Sequence, residues 1–258
     1  GNIANNVIFS FYIGAFLLLA SIIYTIVTTK EYTPEEFNEF AGKDKNHKEK
    51  SSFKDIFTDF VNMPERMKRL GAVQFFSWFA LFIMWVYTMP AITQHIWNID
   101  AKWFDPHHLA SVGNIPEHIA KAKGSAGDWV GIIFAAYSLF AAIASLFMAK
   151  VANKVGRKLT YSLSLLAGGI GYLSIILMQN PALTLVNLGI THIEVPQGAV
   201  LLFLPMIGVG IAWAAILSMP YAILAGSLPV KQTGVYMGIF NFTIAAPQIV
   251  SGIFAGWI

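Results

Sequence analysis

The amino-acid sequence predicts an all-α fold, a polytopic transmembrane helical bundle. Three observations carry that expectation. The chain of 258 residues is 56% hydrophobic and only 12% charged, whereas soluble domains are about 25% charged. Six stretches of 20 residues or more hold no Asp, Glu, Lys or Arg, and about 20 helical residues cross a hydrocarbon core of roughly 30 Å. The Lys and Arg residues between those stretches fall overwhelmingly on alternate loops, the mark of a fixed orientation in a membrane. With no Cys in the chain, disulfides and thiolate metal sites are excluded. A net charge of +3 gives no basis for a nucleic-acid partner. The partner the composition demands is the lipid bilayer.

The spans are expected at 7–28, 71–97, 129–149, 159–178, 199–226 and 234–258. Of the 17 Lys and Arg, nine lie between Lys30 and Arg69. Lys150, Lys154, Arg157 and Lys158 sit between the third and fourth spans, and Lys231 sits in the short loop before the last. The opposite loops hold only Lys102, Lys121 and Lys123. By the positive-inside rule, residue 1 is outside and the 29–70 segment is cytoplasmic. The middle of that segment, GKDKNHKEKSS, is polar and flexible in character. Phe53, Ile56, Phe57, Phe60 and Val61 then recur at helical spacing. They fit an amphipathic helix that either lies on the membrane face or docks on the ends of its own bundle. Asn62 and Pro64 mark a stop and a new helix start.

The outer loop, 98–128, contains Trp103, His107, His108 and His118. No carboxylate or third His lies at a spacing that a helix or strand would organise, so no metal is expected. The inner loop AKVANKVGRKL joins the third and fourth spans tightly. Gly156 permits the turn, and the basic residues sit at the head groups.

No charged residue lies inside any span. His95, near the outer end of the second, is the nearest thing to a coupling group there. The neutral polar residues are patterned instead. Gln74, Leu81, Thr88 and His95 are seven apart, with Trp78, Trp85 and Ile92 on the adjoining seam. Trp213 and Tyr221 are eight apart on the fifth span, flanked by Pro205 and Pro220, which can bend it. Asn241 and Gln248 are seven apart on the last, with Pro247 between them. Amides donate and accept, so they pair with sugar hydroxyls. Indole and phenol rings pack on the C–H face of a pyranose. Gln74, Trp78, Trp85, Tyr221, Asn241 and Gln248 are therefore the candidate substrate-binding residues. Interhelical hydrogen bonding is the alternative for each. Gly234, Gly238, Gly252 and Gly256 suggest close helix packing. Tyr12, Tyr24, Trp129 and Trp257 read as belt or lipid-facing residues.

The loop AKVANKVGRKL resembles the loop signature of the major facilitator superfamily, with Ala149 in the place of its glycine and Asn153 in the place of its acid. Gly156, Arg157 and Lys158 keep the turn and the basic cluster, although an ordinary basic hairpin would look similar. The segment PERMKRLGAVQFFSWFALFIMW resembles the seventh helix of sucrose and maltose carriers in the glycoside–pentoside–hexuronide:cation symporter branch of that superfamily. NNVIFSFYIGAF resembles their sixth helix, and SMPYAILAGSLPVKQTGVYMGIFNFTIAAPQIVSG their tenth and eleventh. The resemblance implies six spans of twelve. Residues 1–28 would be the last helix of the N-terminal half, 29–70 the cytoplasmic linker, and 71–258 five spans of the C-terminal half. The first five helices and the last would lie outside this sequence, the former as intramolecular partners.

The expected function is uptake of a sugar by alternating access, the sugar being an α-glucoside disaccharide such as maltose or sucrose. The resemblance implies proton coupling through charges in the N-terminal half. A sodium-coupled glycoside carrier and a non-transporting sugar sensor are the alternatives. An enzyme would need acids or a His cluster at the membrane face. The spans supply none, so no catalytic residue and no cofactor is expected. The expected location is the cell membrane, a bacterial inner membrane.

Overall fold

The computed structural model describes residues 5–30, 32, 36, 57–58, 60–187, 189, 192–225 and 233–255. The chain falls into two compact units, Gly1–Ser52 and Phe53–Ile258. The first contains α1, Asn5–Thr28. Phe9, Leu17, Leu18 and Leu19, which point to four different sides of α1, are all exposed, as suits a helix whose solvent is lipid. The hydroxyls of Ser21, Thr25 and Thr28 donate to carbonyls one turn back, so these polar groups are paired within the helix. Tyr12 and Tyr24 are exposed, as expected.

The second unit holds α2 (Glu65–His95), α3 (Pro106–Val112), α4 (Glu117–Val155), α5 (Arg157–Ser174), the hairpin β1 (Leu183–Asn187) and β2 (His192–Pro196), α6 (Gln197–Leu201), α7 (Phe203–Ala225) and α8 (Thr233–Ala255). Counting α1, and taking α6 and α7 together, six helices among the described residues are long and apolar enough to cross a membrane. They coincide with the six expected spans. Two run well past the apolar stretch. Glu65 starts α2 behind Pro64, and α4 gains turns at both ends, where Lys and Glu side chains reach water.

α7 is the hub. It packs on α5 along one side and on α4 along another, while α2 pairs with α8. Small residues make the close approaches. A Cβ on Gly171 would lie 2.7 Å from the Pro205 carbonyl oxygen, and one on Gly208 would collide with the Ala167 carbonyl. On the α4 side, a Cβ on Gly210 would lie 2.6 Å from the Tyr137 carbonyl oxygen. Without a hydrophobic force between helices in lipid, such backbone proximity is what dispersion contacts require.

Two expectations need correction here. Gly234, Gly238 and Gly252 of α8 face open space, with nothing within 4 Å of a Cβ on any of them. Among the described residues, the closest helix-to-helix approaches are at glycines of α5 and α7. Gly256 lies outside the described residues. Trp129 is not a belt residue. It is fully buried, its Nε1 donates to the Ala199 carbonyl at 2.8 Å, and its ring packs edge-on to Phe203. Its place at the edge of the uncharged run, just after Asp128, invited the belt reading, but the indole N–H ties α4 to α6.

The outer loop contains more order than expected. Asp100 caps a 3-10 turn, Ala101–Phe104, and the Lys102 amide donating to its carboxylate holds Asp100 below the usual carboxylate range. Asp105 caps α3 in the same way. The β1–β2 hairpin pairs Leu183 with Pro196 and Asn187 with His192. In its turn, Gly189 at φ 83° donates to the Asn187 side chain, a conformation glycine adopts without strain. Of the amphipathic segment, Phe57, Phe60 and Val61 are described and exposed. The Phe60 ring meets Phe242 of α8 edge-on at 6.1 Å, a contact with its own bundle. Phe53, Ile56, Lys231 and Trp257 lie outside the described residues.

Candidate functional site

The middle of the second unit carries an aromatic cluster drawn from three helices. Trp78 and Trp85 of α2 meet edge-to-face at 6.4 Å. Trp213 of α7 stands edge-on to both, at 5.6 Å and 5.7 Å. Tyr137 of α4 approaches Trp213 at 6.5 Å and accepts a hydrogen bond from Trp85 Nε1 at 3.2 Å. Each of the four lies near the middle of its helix. Trp78 and Trp85 share a face because they are seven apart. Gly210 brings α4 close enough for Tyr137 to reach the indoles. Edge-to-face packing suits the quadrupoles of the rings.

A second polar contact joins α7 to α8. The Tyr221 hydroxyl donates to Asn241 Oδ1 at 3.0 Å, and Tyr221 packs edge-on to the buried Phe240. Asn241 is exposed, whereas Tyr236, Phe240 and Ser251 of the same helix are buried. Gln248, half-buried, lies two turns further along α8. Trp213 and Tyr221 are about 12 Å apart along α7, from 1.5 Å of rise per residue. The two groups thus share one helix at different depths.

Gln74 is placed differently. It is fully buried. Its Oε1 accepts from the Tyr161 hydroxyl at 3.0 Å, and its Nε2 points at the Ile216 carbonyl at 3.4 Å. Its amide therefore links α2, α5 and α7. Of the rest of the seven-residue seam, Leu81 is core. Thr88 donates to the Met84 carbonyl of its own helix. His95 Nε2 lies 3.1 Å from the Ile176 carbonyl. The six candidate residues therefore separate into the Trp78–Trp85 pair, the Tyr221–Asn241 pair with Gln248 further along α8, and Gln74.

Trp213 and Tyr137 belong to the cluster and were not among the candidates. Trp213 had the right spacing from Tyr221. Tyr137 had one signal. It is the single hydroxyl-bearing ring on the otherwise apolar buried stripe Ile133–Tyr137–Ala141–Met148 of α4.

A crevice of about 460 Å³ between α2, α5 and α7 is a poor alternative for a hydroxyl-rich ligand. Its lining, which includes Phe79, Ile83, Ile92 and Met206, is nearly all apolar. Its Tyr172 hydroxyl is turned onto Met84 Sδ at 3.0 Å. Among the described residues no three His, Cys, Asp or Glu gather as metal ligands.

At the inner loop, Gly156 at φ 93° ends α4 and starts α5, the sharp turn that its position required. Arg157 donates to the Ala222 carbonyl near the end of α7, a favourable place for a cation. Asn153 and Lys158 are exposed.

Among the described residues, six apolar helices of spanning length define a multi-pass membrane protein. The family model described as Major Facilitator Superfamily matches residues 109–258, more than half of the chain, and the chain belongs to that family. Its members are generally transporters, so this is a membrane transporter of the major facilitator type. No curated protein and no solved structure matches it.

Proposed function

We propose that the transported ligand is a neutral, hydroxyl-rich molecule, a sugar of the α-glucoside disaccharide class, taken up together with protons. The observation that carries this reading is the aromatic cluster. Three indoles and a phenol meet halfway along three spanning helices, where carriers of this architecture place substrate. No formal charge lies among these side chains. A charged ligand would lack a counter-charge in this half, whereas a sugar needs only ring faces and hydrogen-bonding groups.

Trp78, Trp85, Tyr221, Asn241 and Gln248 line the path in this reading. Gln74 stands behind them as a strut through Tyr161. Counted on the resemblance to sucrose and maltose carriers, the spans are helices six to eleven, joined by a cytoplasmic linker at 29–70, with residue 1 outside a bacterial inner membrane. The remaining helices supply the other half of the site and the coupling charge. The two halves rock about the mid-membrane site.

Vesicles containing the complete protein test the coupling. Adding maltose to the outside of unenergised vesicles should make the medium alkaline as sugar and protons enter together. Stimulation of uptake by sodium without a pH change would establish the sodium-coupled reading instead. Binding of sugar with no movement of label would establish a sensor.

A further inference from the structure

We infer that the indole N–H of Trp78 is a ligand donor, and that it selects for an acceptor oxygen on the bound molecule. The inference rests on the sugar reading above and goes further by naming the atom and the direction of the hydrogen bond.

The two α2 indoles of the cluster are not equivalent. Trp85 Nε1 already donates to Tyr137. Trp78 is only 9% exposed, and its Nε1 is buried with no hydrogen-bond partner. Large numbers of buried polar groups are paired in native structures, and an orphan calls for a reason. Leaving a donor dry and unpaired is unfavourable, and an acceptor arriving at it regains what was lost. The packing around Trp78 explains how the state persists. Trp85 and Trp213 hold the ring edge-on from two sides, and both are only half-buried, so the cluster has a face that a ligand can reach. An indole nitrogen donates and never accepts. The ligand group opposite it must therefore present a lone pair. The group assigned to it is a sugar hydroxyl oxygen, and an ammonium group does not qualify. Trp85, with its N–H spent internally, contributes a ring surface and a strut.

The test is equilibrium binding of labelled maltose to the complete purified protein. Three variants are compared with wild type: Trp78→Phe, Trp85→Phe, and Trp78 replaced by its benzothiophene isostere, which keeps the ring shape and removes only the N–H. A series of monodeoxy maltoses is run as competitors. The isostere should bind maltose about tenfold more weakly, the scale of one hydrogen bond to a desolvated donor, with an unchanged melting temperature. One monodeoxy maltose should bind wild type and isostere equally, because both partners of the same bond are then gone. Trp85→Phe should lose the same factor against every sugar in the series. Should the isostere bind maltose as tightly as wild type, or lose the same factor against every monodeoxy sugar, Trp78 is a packing residue and the inference is overturned. If wild type binds neither maltose nor sucrose, the sugar reading itself fails, and this inference with it.

Discussion

Asn241→Leu is expected to abolish sugar uptake by the complete protein while leaving its amount in the membrane unchanged. Leucine matches asparagine in size and is a better helix former. α8 should therefore insert and pack as before, since its buried stripe runs through Tyr236, Phe240 and Ser251 rather than through Asn241. What disappears is polar. Asn241 Oδ1 accepts from Tyr221, and the other end of the amide carries two donors. Leucine removes both functions and leaves the Tyr221 hydroxyl without its acceptor. A site that hydrogen-bonds a substrate hydroxyl loses far more when the bond is removed than a purely apolar pocket does. Transport at the wild-type rate would remove Asn241 from the site and leave Tyr221–Asn241 as a structural tie between α7 and α8.

Gly210→Val should be a damaging packing change at the α4–α7 contact. The added Cβ would stand 2.6 Å from the Tyr137 carbonyl oxygen, 2.7 Å from Phe140 Cβ and 2.9 Å from the Ala141 amide nitrogen. Two of those three are backbone atoms of α4, which cannot swing aside as a side-chain tip can. α4 and α7 must separate, and overpacking of this kind costs about 3 kcal/mol, at the upper end of the usual range. The same movement withdraws Tyr137 from Trp85 and Trp213, so transport falls with stability. Gly131→Ala is the control, because nothing lies within 4 Å of its Cβ. The two variants are compared by thermal unfolding in detergent. Equal melting temperatures would mean that Gly210 does not set the α4–α7 distance.

These two residues also show what the sequence could and could not convey. The six spanning helices were legible because an uncharged apolar run of spanning length has few other uses. The turn at Gly156 was legible for a similar reason, since only glycine sits easily at φ 93°. Partners were not legible. Gly210 and the glycines of α8 look alike as letters, and only the neighbouring backbone separates a contact from open space. Gln74 and Asn241 are both amides on helical faces, yet one is sealed between Tyr161 and Ile216 and the other is exposed. Trp129 misled because the edge of an uncharged run is ordinarily a sign of the interface, whereas α4 starts back at Glu117 and the bond to Ala199 spans 70 positions of sequence. The hairpin at β1–β2 lay beside a span and was passed over, although Thr184, Val186, Ile193 and Val195 are strand-forming residues in alternation.

A carrier that moves the proposed neutral, hydroxyl-rich ligand past uncharged rings and amides should catalyse counterflow, which needs neither an ion gradient nor an energy source. Liposomes containing the complete protein are loaded with unlabelled maltose and diluted into a trace of labelled maltose. Label should accumulate transiently above the outside concentration and then decay as the inner pool exchanges away. Label entering no faster than in protein-free liposomes, for both maltose and sucrose, would contradict the sugar reading.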